Sequence, residues 1–276
     1  MSSKNNPYLK VIDYTVYGEA FQLVHNLEMD YLETRPKPSA DKLPAYYKSE
    51  DYISHTNAKR NLFEKVYHQI RNISLKRKLK LINSFNPEDK QLLDIGCGTG
   101  AFLKTAQNNG WHVCGVEPDT EARTVANNIT NNKVFNVDHL LNLKEHSFDV
   151  ITLWHVLEHL PNLDEQVSVL KRLLKPNGFL LIAVPNYKSY DASVYKNFWA
   201  AYDVPRHLWH FSQTAIKKLF GKEHMEVVKT YPMIFDAFYV SLLSEKYRNN
   251  SMNLIRAFTV GLQSNLKAKR SESILL

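Results

Sequence analysis

Leu92-Leu-Asp-Ile-Gly-Cys-Gly-Thr-Gly100 carries the clearest structural signal in this 276-residue chain. An apolar run leads into it, three glycines fall within five of its residues, and a helical pattern over 102–109 follows. Glycine lets the backbone turn sharply and lets a ligand approach where a Cβ would block it. A strand, a glycine-rich loop and a helix N-terminus in this order predict a nucleotide-type ligand site at the carboxyl edge of a sheet.

Strand and helix patterns alternate on both sides of this loop. Predicted strands cover Gln91–Ile95, Trp111–Glu117, Val134–Val137, Phe148–Leu153, Phe179–Val184 and Glu226–Thr230. Helical patterns cover 102–109, 119–129, 163–174 and 213–220. This alternation predicts an α/β fold with a mostly parallel sheet covered by helices on both faces.

Composition excludes several classes of protein. With 44% hydrophobic and 23% charged residues the chain has the composition of a globular protein, not of a disordered one. Its longest apolar stretches, 179–185 and 257–262, are far shorter than the roughly 20 residues of a membrane-spanning helix. Two cysteines cannot form a disulfide framework, and the N-terminus lacks the apolar region of a signal peptide. These features predict a cytoplasmic protein.

The formal charge of +7 is concentrated in one segment. Between Lys59 and Lys80 there are eight basic residues and one acidic residue, Glu64, so the rest of the chain is neutral overall. Apolar positions at helical spacing predict a basic helical segment over 56–86, as one helix or as two with a break near Ser74. We interpret the charge as the solvated face of this helix, with steering of an anionic acceptor or contact with anionic lipid as the alternative, and we expect no general affinity for nucleic acid.

Two cofactor classes fit the glycine loop. Gly96-x-Gly98-x-x-Ala101 matches a dinucleotide fingerprint, and Glu117 follows about 20 residues later, where a carboxylate binds ribose hydroxyls. A nicotinamide-dependent oxidoreductase is therefore one alternative. Asp94 two residues before the first glycine, and a third glycine at Gly100, argue against it.

Four motifs resemble those of class I S-adenosylmethionine-dependent methyltransferases in order and spacing. They are Leu92–Gly100, Val116–Asp119, Val137–Asp138 and Ser147–Leu160. The resemblance covers Leu92 to about Pro185. It implies a three-layer Rossmann-like fold with a mostly parallel seven-stranded sheet, whose antiparallel last strand would be Ser273–Leu276.

The resemblance also implies S-adenosyl-L-methionine as cofactor and S-adenosyl-L-homocysteine as product. The implied contacts are the methionine end with Asp94, Gly96, Cys97, Gly98 and Gly100, the ribose with Glu117 and Pro118, the adenine with Asp138 and His139, and the sulfonium with Trp154 and His155.

The acceptor side resembles that of small-molecule O-methyltransferases of the ubiquinone-biosynthesis type. Some of these bind a divalent metal through Glu-x-x-Glu-His, whereas this chain reads His155-Val-Leu-Glu158-His159, so we predict no metal site. Pro205–Leu208 resembles a Pro-Arg-His-Leu stretch that lines the acceptor pocket in one bacterial branch. His207 and His159 are the candidate general bases, and His155 is a third catalytic candidate.

Residues 1–55 are predicted to form a cap or lid that resembles a degenerate zinc-binding element of the same branch. Asn26 and Met29 stand where paired cysteines would be expected, so no zinc is predicted there. The stretch 46–55 is expected to fold over the cofactor. The methyltransferase domain is predicted over 87–276, with a helical insertion over about 232–269.

The predicted function is methyl transfer to an oxygen, less readily to a nitrogen, of a small-molecule or lipid-like acceptor. The alternatives are an RNA methyltransferase, a nicotinamide-dependent oxidoreductase and a non-catalytic cofactor-binding protein. No nucleic-acid partner is expected. We expect the helical insertion to pack on the domain, while a cover over the acceptor pocket or a peripheral membrane contact is the alternative.

Overall fold

A computed structural model describes residues 6–39, 41–47 and 62–268. The chain divides into two compact units. The parallel-sheet unit comprises Lys59–Leu157 and Asn162–Ala183, and the antiparallel-sheet unit comprises Met1–Ala58, Glu158–Pro161 and Val184–Leu276.

Strands and helices alternate through most of the described chain. The strands are β1 (Asn6–Ile12), β2 (Ala20–Asn26), β3 (Tyr31–Arg35), β4 (Gln91–Ile95), β5 (His112–Val116), β6 (Val134–Phe135), β7 (Phe148–Trp154), β8 (Leu174–Ala183) and β9 (Trp209–His210). The α-helices are α1 (Leu62–Asn83), α2 (Ala101–Gln107), α3 (Thr120–Thr130), α4 (Leu163–Leu173), α5 (Tyr190–Tyr195), α6 (Gln213–Gly221), α7 (Ile234–Asn249) and α8 (Leu254–Ala268).

The parallel-sheet unit is built on the strand order β6-β5-β4-β7-β8, with every neighbouring pair parallel. The central strand β4 contributes Leu92 and Leu93, which are fully buried because parallel sheets are covered on both faces. Leu92 pairs with Val113 on one side and Val150 on the other. Consequently the carboxyl ends of β4, β5 and β7 lie side by side, which is where the glycine loop begins.

Helix α4 shows how the flanking helices are specified. Its buried residues Leu163, Val167, Leu170 and Leu173 recur at helical spacing. Acidic residues occupy its first turn and basic residues its last, which complements the helix dipole. Helix α1 runs without a break through Ser74 and ends at Asn83, so the one-helix alternative is correct.

The antiparallel-sheet unit contains the sheet β1-β2-β3-β9 together with α5 to α8. Leu23 and Leu32 are fully buried in its core, in one cluster with Tyr195 and Tyr202. Strand β3 pairs with β9, Leu32 opposite His210, so the N-terminal residues share a sheet with a segment more than 170 positions later.

The α/β class and the mostly parallel sheet are confirmed, but the predicted number of strands is not. Among the described residues the parallel sheet has five strands. Residues 226–230 form no strand, and Val228 is 76% exposed, so this segment buries too little apolar surface to add to the sheet. The predicted last strand, Ser273–Leu276, lies outside the described residues. No described helix has the length and apolar character needed to cross a bilayer.

Candidate functional site

The glycine loop links β4 to α2 and turns on three left-handed glycines. Gly96, Gly98 and Gly100 have φ of +68°, +54° and +76°. A Cβ on Gly100 would come within 2.9 Å of the Ala126 Cβ, whereas a Cβ on Gly98 would meet no atom within 4 Å. Gly100 is therefore required by packing against α3, and Gly98 leaves open space beside its backbone. That open space is what a ligand needs to approach the loop closely.

Glu117 follows β5 and is held against the loop. Its side chain accepts hydrogen bonds from the N–H of Gly98 at 2.8 Å and of Asp119 at 3.0 Å, one on each oxygen. The residue is 8% exposed, and burial raises the pKa of its carboxyl group despite these bonds. Because a carboxylate has about four acceptor positions, two remain for ligand hydroxyls.

Asp94 lies in β4 and is 2% exposed. Its Oδ1 accepts a hydrogen bond from Thr152 Oγ1 at 2.6 Å. Burial raises the pKa of Asp94 to about 7, against the opposing effects of this bond and of the charge on Lys78. A cationic ligand group beside Asp94 would favour its ionised form.

Lys78 is a candidate site residue that our sequence interpretation missed. Its Nζ lies 4.1 Å from the centre of the Trp154 ring, and it is half-buried, whereas Lys76, Arg77 and Lys80 are exposed. The solvated-face interpretation is therefore wrong for Lys78. A signal was present, because Lys78 lies three residues after Leu75 and so belongs to the apolar side of α1.

Trp154 is the last residue of β7, and His155 follows it. The Trp154 ring packs edge-on against Phe102 with centroids 5.7 Å apart, and its buried Nε1 has no hydrogen-bond acceptor among the described residues. A buried donor of this kind calls for a water or a ligand. His155 is exposed, has φ of +58°, and donates its backbone N–H to the Ala183 carbonyl at 2.9 Å.

The remaining cofactor candidates differ in exposure. Asp138 is exposed on the turn after β6, where the His139 ring stacks on Phe135 with centroids 4.0 Å apart. Pro118 is exposed directly after Glu117. Cys97 is half-buried in the glycine loop, and burial raises the pKa of its thiol, so it stays uncharged. The parallel-sheet unit thus offers the loop, two buried carboxyl groups and an unsatisfied indole N–H, a set that fits a nucleoside ligand with cationic groups.

A second cluster lies in the antiparallel-sheet unit, where Glu158, His159 and His207 each place one donor atom within 4.8 Å of the others. The imidazole rings of His159 and His207 meet edge to face with centroids 4.6 Å apart. His207 Nδ1 lies 2.9 Å from the Ala201 carbonyl oxygen and must donate its hydrogen there. The lone pair of His207 is therefore on Nε2. Of the three catalytic candidates, His159 and His207 belong to this unit and His155 belongs to the other.

His207 is held neutral by its surroundings. Burial, with a smaller contribution from His159, lowers the pKa of His207 to about 4. His159 Nδ1 lies 3.0 Å from both the Tyr47 hydroxyl and the Arg206 carbonyl. Two imidazoles with engaged Nδ1 atoms and a buried carboxylate can accept a proton, and the same donors can hold a divalent metal.

The comparisons with known proteins agree with this geometry. A family model described as a methyltransferase domain matches residues 66–230, which is more than half of the chain and includes both clusters. The chain belongs to the class I S-adenosylmethionine-dependent methyltransferases. The predicted enzyme class and cofactor are thereby confirmed.

Curated relatives of this methyltransferase match part of their own length. The ubiquinone biosynthesis O-methyltransferase of Hydrogenovibrio crunogenus is 26% identical over 128 residues, which cover 43% of this chain and 53% of the relative. The protein of the same name from Coxiella burnetii is 29% identical over 119 residues, which cover 41% of this chain and 50% of the relative. The methyltransferase spans about half the length of these relatives.

A solved structure supports the fold. An S-adenosylmethionine-dependent methyltransferase from Archaeoglobus fulgidus has a TM-score of 0.50 and 18% identity, covering 78% of this chain and 96% of that chain. This likeness concerns the arrangement of strands and helices alone.

The turn between β2 and β3 contains the positions where paired cysteines were expected. Asn26 Oδ1 accepts the Met29 N–H at 3.0 Å. The adjacent Asp30 accepts hydrogen bonds from Tyr187 at 3.0 Å, Lys188 at 2.6 Å and Ser212 at 2.7 Å. This carboxylate ties the turn to two distant segments of the same unit.

The stretch predicted to fold over the cofactor, 46–55, lies outside the described residues from position 48 onward.

Replacing Asp30 with asparagine is expected to lower the free energy of unfolding at pH 7 by about 2 kcal/mol. Burial works to raise the pKa of Asp30, but hydrogen bonds from Lys188, Ser212 and Tyr187 outweigh it and lower the pKa from 3.8 to about 2. The stabilisation is therefore complete above pH 3.8 and is lost as the pH falls through 2. Asparagine tolerates the left-handed backbone at this position, where φ is +63°.

Chemical denaturation of the wild type and of Asp30→Asn between pH 7 and pH 3 measures this difference in the free energy of unfolding. Glu28→Gln is the matched control, because Glu28 is an exposed acid in the same turn. A loss of stability that is equal for the two variants, or that grows as the pH falls, would contradict the assignment.

Proposed function

We propose that this methyltransferase transfers a methyl group to the oxygen of a small-molecule or lipid-like acceptor. The observation that carries the proposal is the neutral, buried His207 with its Nε2 lone pair, clustered with His159 and Glu158. A neutral imidazole is suited to accepting the proton of a hydroxyl group at physiological pH. The relatives named O-methyltransferases support oxygen as the acceptor atom.

The parallel-sheet unit is proposed to bind the cofactor. Asp94 and the loop Gly96–Gly100 would hold the methionine end, and Glu117 would accept hydrogen bonds from the ribose hydroxyls. Asp138 and His139 are proposed for the adenine, and Trp154 and His155 for the region near the sulfonium. Lys78 joins this group because its charge acts on Asp94 and on the Trp154 ring.

The cofactor supplies an activated methyl group with its own leaving group, so the protein mainly positions the acceptor and removes a proton. A cofactor bound there would supply the methyl group and would retain the electron pair of its sulfur–carbon bond on sulfur. The hydroxyl proton passes to His207 Nε2. His207 keeps the orientation for this step because its Nδ1–H is bonded to the Ala201 carbonyl.

Methyl-labelled S-adenosyl-L-methionine and a panel of acceptors test the proposal. The panel contains phenols with and without an apolar tail, the matching anilines, and bulk RNA. We expect label on phenol oxygen, with a preference among the phenols that reports whether the acceptor is lipid-like. Label confined to the anilines or to RNA, or no label with bound cofactor demonstrated, would refute the proposal. The nicotinamide alternative is already excluded by the family.

A chelation experiment separates the two chemical uses of the second cluster. If His207 accepts the proton, turnover on the best phenol should change less than about twofold after dialysis against EDTA. Loss of turnover that Mg²⁺ or Zn²⁺ restores would instead assign Glu158, His159 and His207 to a metal centre. That result would overturn both the base role of His207 and the prediction of no metal.

A further inference from the structure

Helix α8 turns its large apolar side chains outward. Ile255 is 81% exposed and Phe258 is 58% exposed, although we expected both to pack on the domain. With them, the exposed set is Met252 at 52%, Leu254 at 65%, Leu262 at 41% and Leu266 at 52%. The spacing of 255, 258, 262 and 266 aligns four of these on one stripe of the helix. An exposed apolar patch on a folded protein marks an interaction surface.

The opposite side of α8 carries small or polar residues, and they are the buried ones. The buried residues are Ala257, Val260, Gly261, Ser264 and Asn265. This is the reverse of a helix that only fills a core, where the large apolar side chains face inward.

Packing against α7 and α5 holds α8 in this orientation. A Cβ on Gly261 would lie 2.7 Å from Phe238 Cδ1, so the two helices cross in close contact at this glycine. Ser264 donates a hydrogen bond to Asp191 at 2.7 Å, and Asn265 donates one to the Ile234 carbonyl at 2.8 Å. Rotating α8 to bury its large side chains would break these bonds, so the apolar stripe stays exposed.

The charged residues of α8 and of the segment that precedes it are basic. From position 246 to position 267 the sequence contains Lys246, Arg248, Arg256 and Lys267 and no acidic residue. Arg256 lies 3.1 Å from Glu245, which is the residue just outside this range and is fully buried. A basic helix with an exposed apolar stripe complements a surface that is anionic at its headgroups and apolar beneath them.

We propose that α8 is a membrane-docking helix that lies on an anionic phospholipid bilayer, with Leu254, Ile255, Phe258, Leu262 and Leu266 inserted among the headgroups. This binding requires neither the cofactor nor turnover. The docking would bring the enzyme to the membrane surface, where a lipid-like acceptor resides. The proposal itself does not depend on which acceptor is methylated.

Vesicle flotation of the full chain tests the proposal. Phosphatidylcholine vesicles with phosphatidylglycerol should float the wild-type protein, vesicles of phosphatidylcholine alone should bind it less, and added salt should weaken the binding. The double variant Ile255→Ser, Phe258→Ser should lower the partition coefficient by about tenfold or more. Val228→Ser is the matched control, because Val228 is an equally exposed apolar residue outside α7 and α8, and it should bind like the wild type.

Two further measurements on the same proteins keep the result unambiguous. Calorimetric binding of S-adenosyl-L-homocysteine and the cooperativity of thermal unfolding should be equal in all of them, which shows that both units of each variant are folded. Sedimentation should give the same mass for wild type and double variant. The proposal is overturned if the wild type does not float, or if the double variant floats like the wild type. It is also overturned if the wild type is a dimer and the double variant a monomer, because the stripe would then bind a second copy of the chain.

Discussion

Replacing His207 with asparagine is expected to lower kcat for methyl transfer by about a hundredfold, the usual contribution of a general base. The asparagine amide can still donate to the Ala201 carbonyl, where His207 Nδ1 donates at 2.9 Å, but it cannot accept a proton. Affinity for S-adenosyl-L-homocysteine should change less than about twofold, because His207 is assigned to proton removal and not to cofactor binding.

The pH profile gives a second readout of the same assignment. Burial lowers the pKa of His207 to about 4, so the ring is unprotonated and able to accept a proton at any pH above that value. Wild-type kcat should therefore show no loss attributable to this group between pH 8 and pH 5. A kcat that falls with a midpoint near the ordinary histidine pKa would point to a different base.

His210→Gln is the control for this substitution. His210 is 3% exposed, and its Nε2 lies 3.1 Å from Thr34 Oγ1, a bond that a glutamine amide can replace. This variant should keep kcat within about threefold even if its melting temperature falls. Equal losses of kcat in both variants would show that His207 acts through packing, and a His207→Asn enzyme with normal kcat would remove it from the mechanism.

Replacing Glu117 with glutamine is expected to weaken binding of S-adenosyl-L-homocysteine by about a hundredfold. In the proposed function the carboxylate accepts two ribose hydroxyls, in addition to the N–H groups of Gly98 and Asp119 that it accepts in the structure. Hydrogen bonds to a charged group contribute about 1.5 to 3 kcal/mol each, so losing even part of this set is a large effect. Titration calorimetry measures the dissociation constant directly.

Glu121→Gln controls for the loss of one acidic charge near the same helix. Glu121 is exposed in the first turn of α3, four residues after Glu117, and should leave the dissociation constant within about twofold. If Glu117→Gln binds the product like the wild type, the ribose is held elsewhere. If both variants bind weakly, the effect is long-range electrostatics and not a contact.

Local sequence patterns predicted most of the parallel-sheet unit. The glycine loop, Glu117 and the five strands of the parallel sheet were all predicted, because each depends on residues within a few positions of one another. Backbone conformation at glycine and the period-two or helical spacing of apolar residues are local properties. Lys78 was missed because its charge was counted with its neighbours, although its place on the helix faces Trp154.

The antiparallel-sheet unit was predicted poorly for a different reason. Pairing of β3 with β9 joins Leu32 to His210, and no local pattern reports a partner at that distance along the chain. The prediction that residues 226–230 would form a strand failed in the same way, since β-type residues make a strand only where a neighbouring strand is available to pair with them.

The sequence alone identified the fold class and the methyltransferase family, because a short run of residues dictates the shape of the glycine loop. Tertiary structure was needed to bring His159 and His207 together from segments about 50 residues apart and to make His207 neutral by burial. It was also needed to show that Ile255 and Phe258 face outward, since their spacing is the same whichever side of the helix is buried. Which side that is depends on the close approach of Gly261 to Phe238, a contact that exists only once both helices are packed.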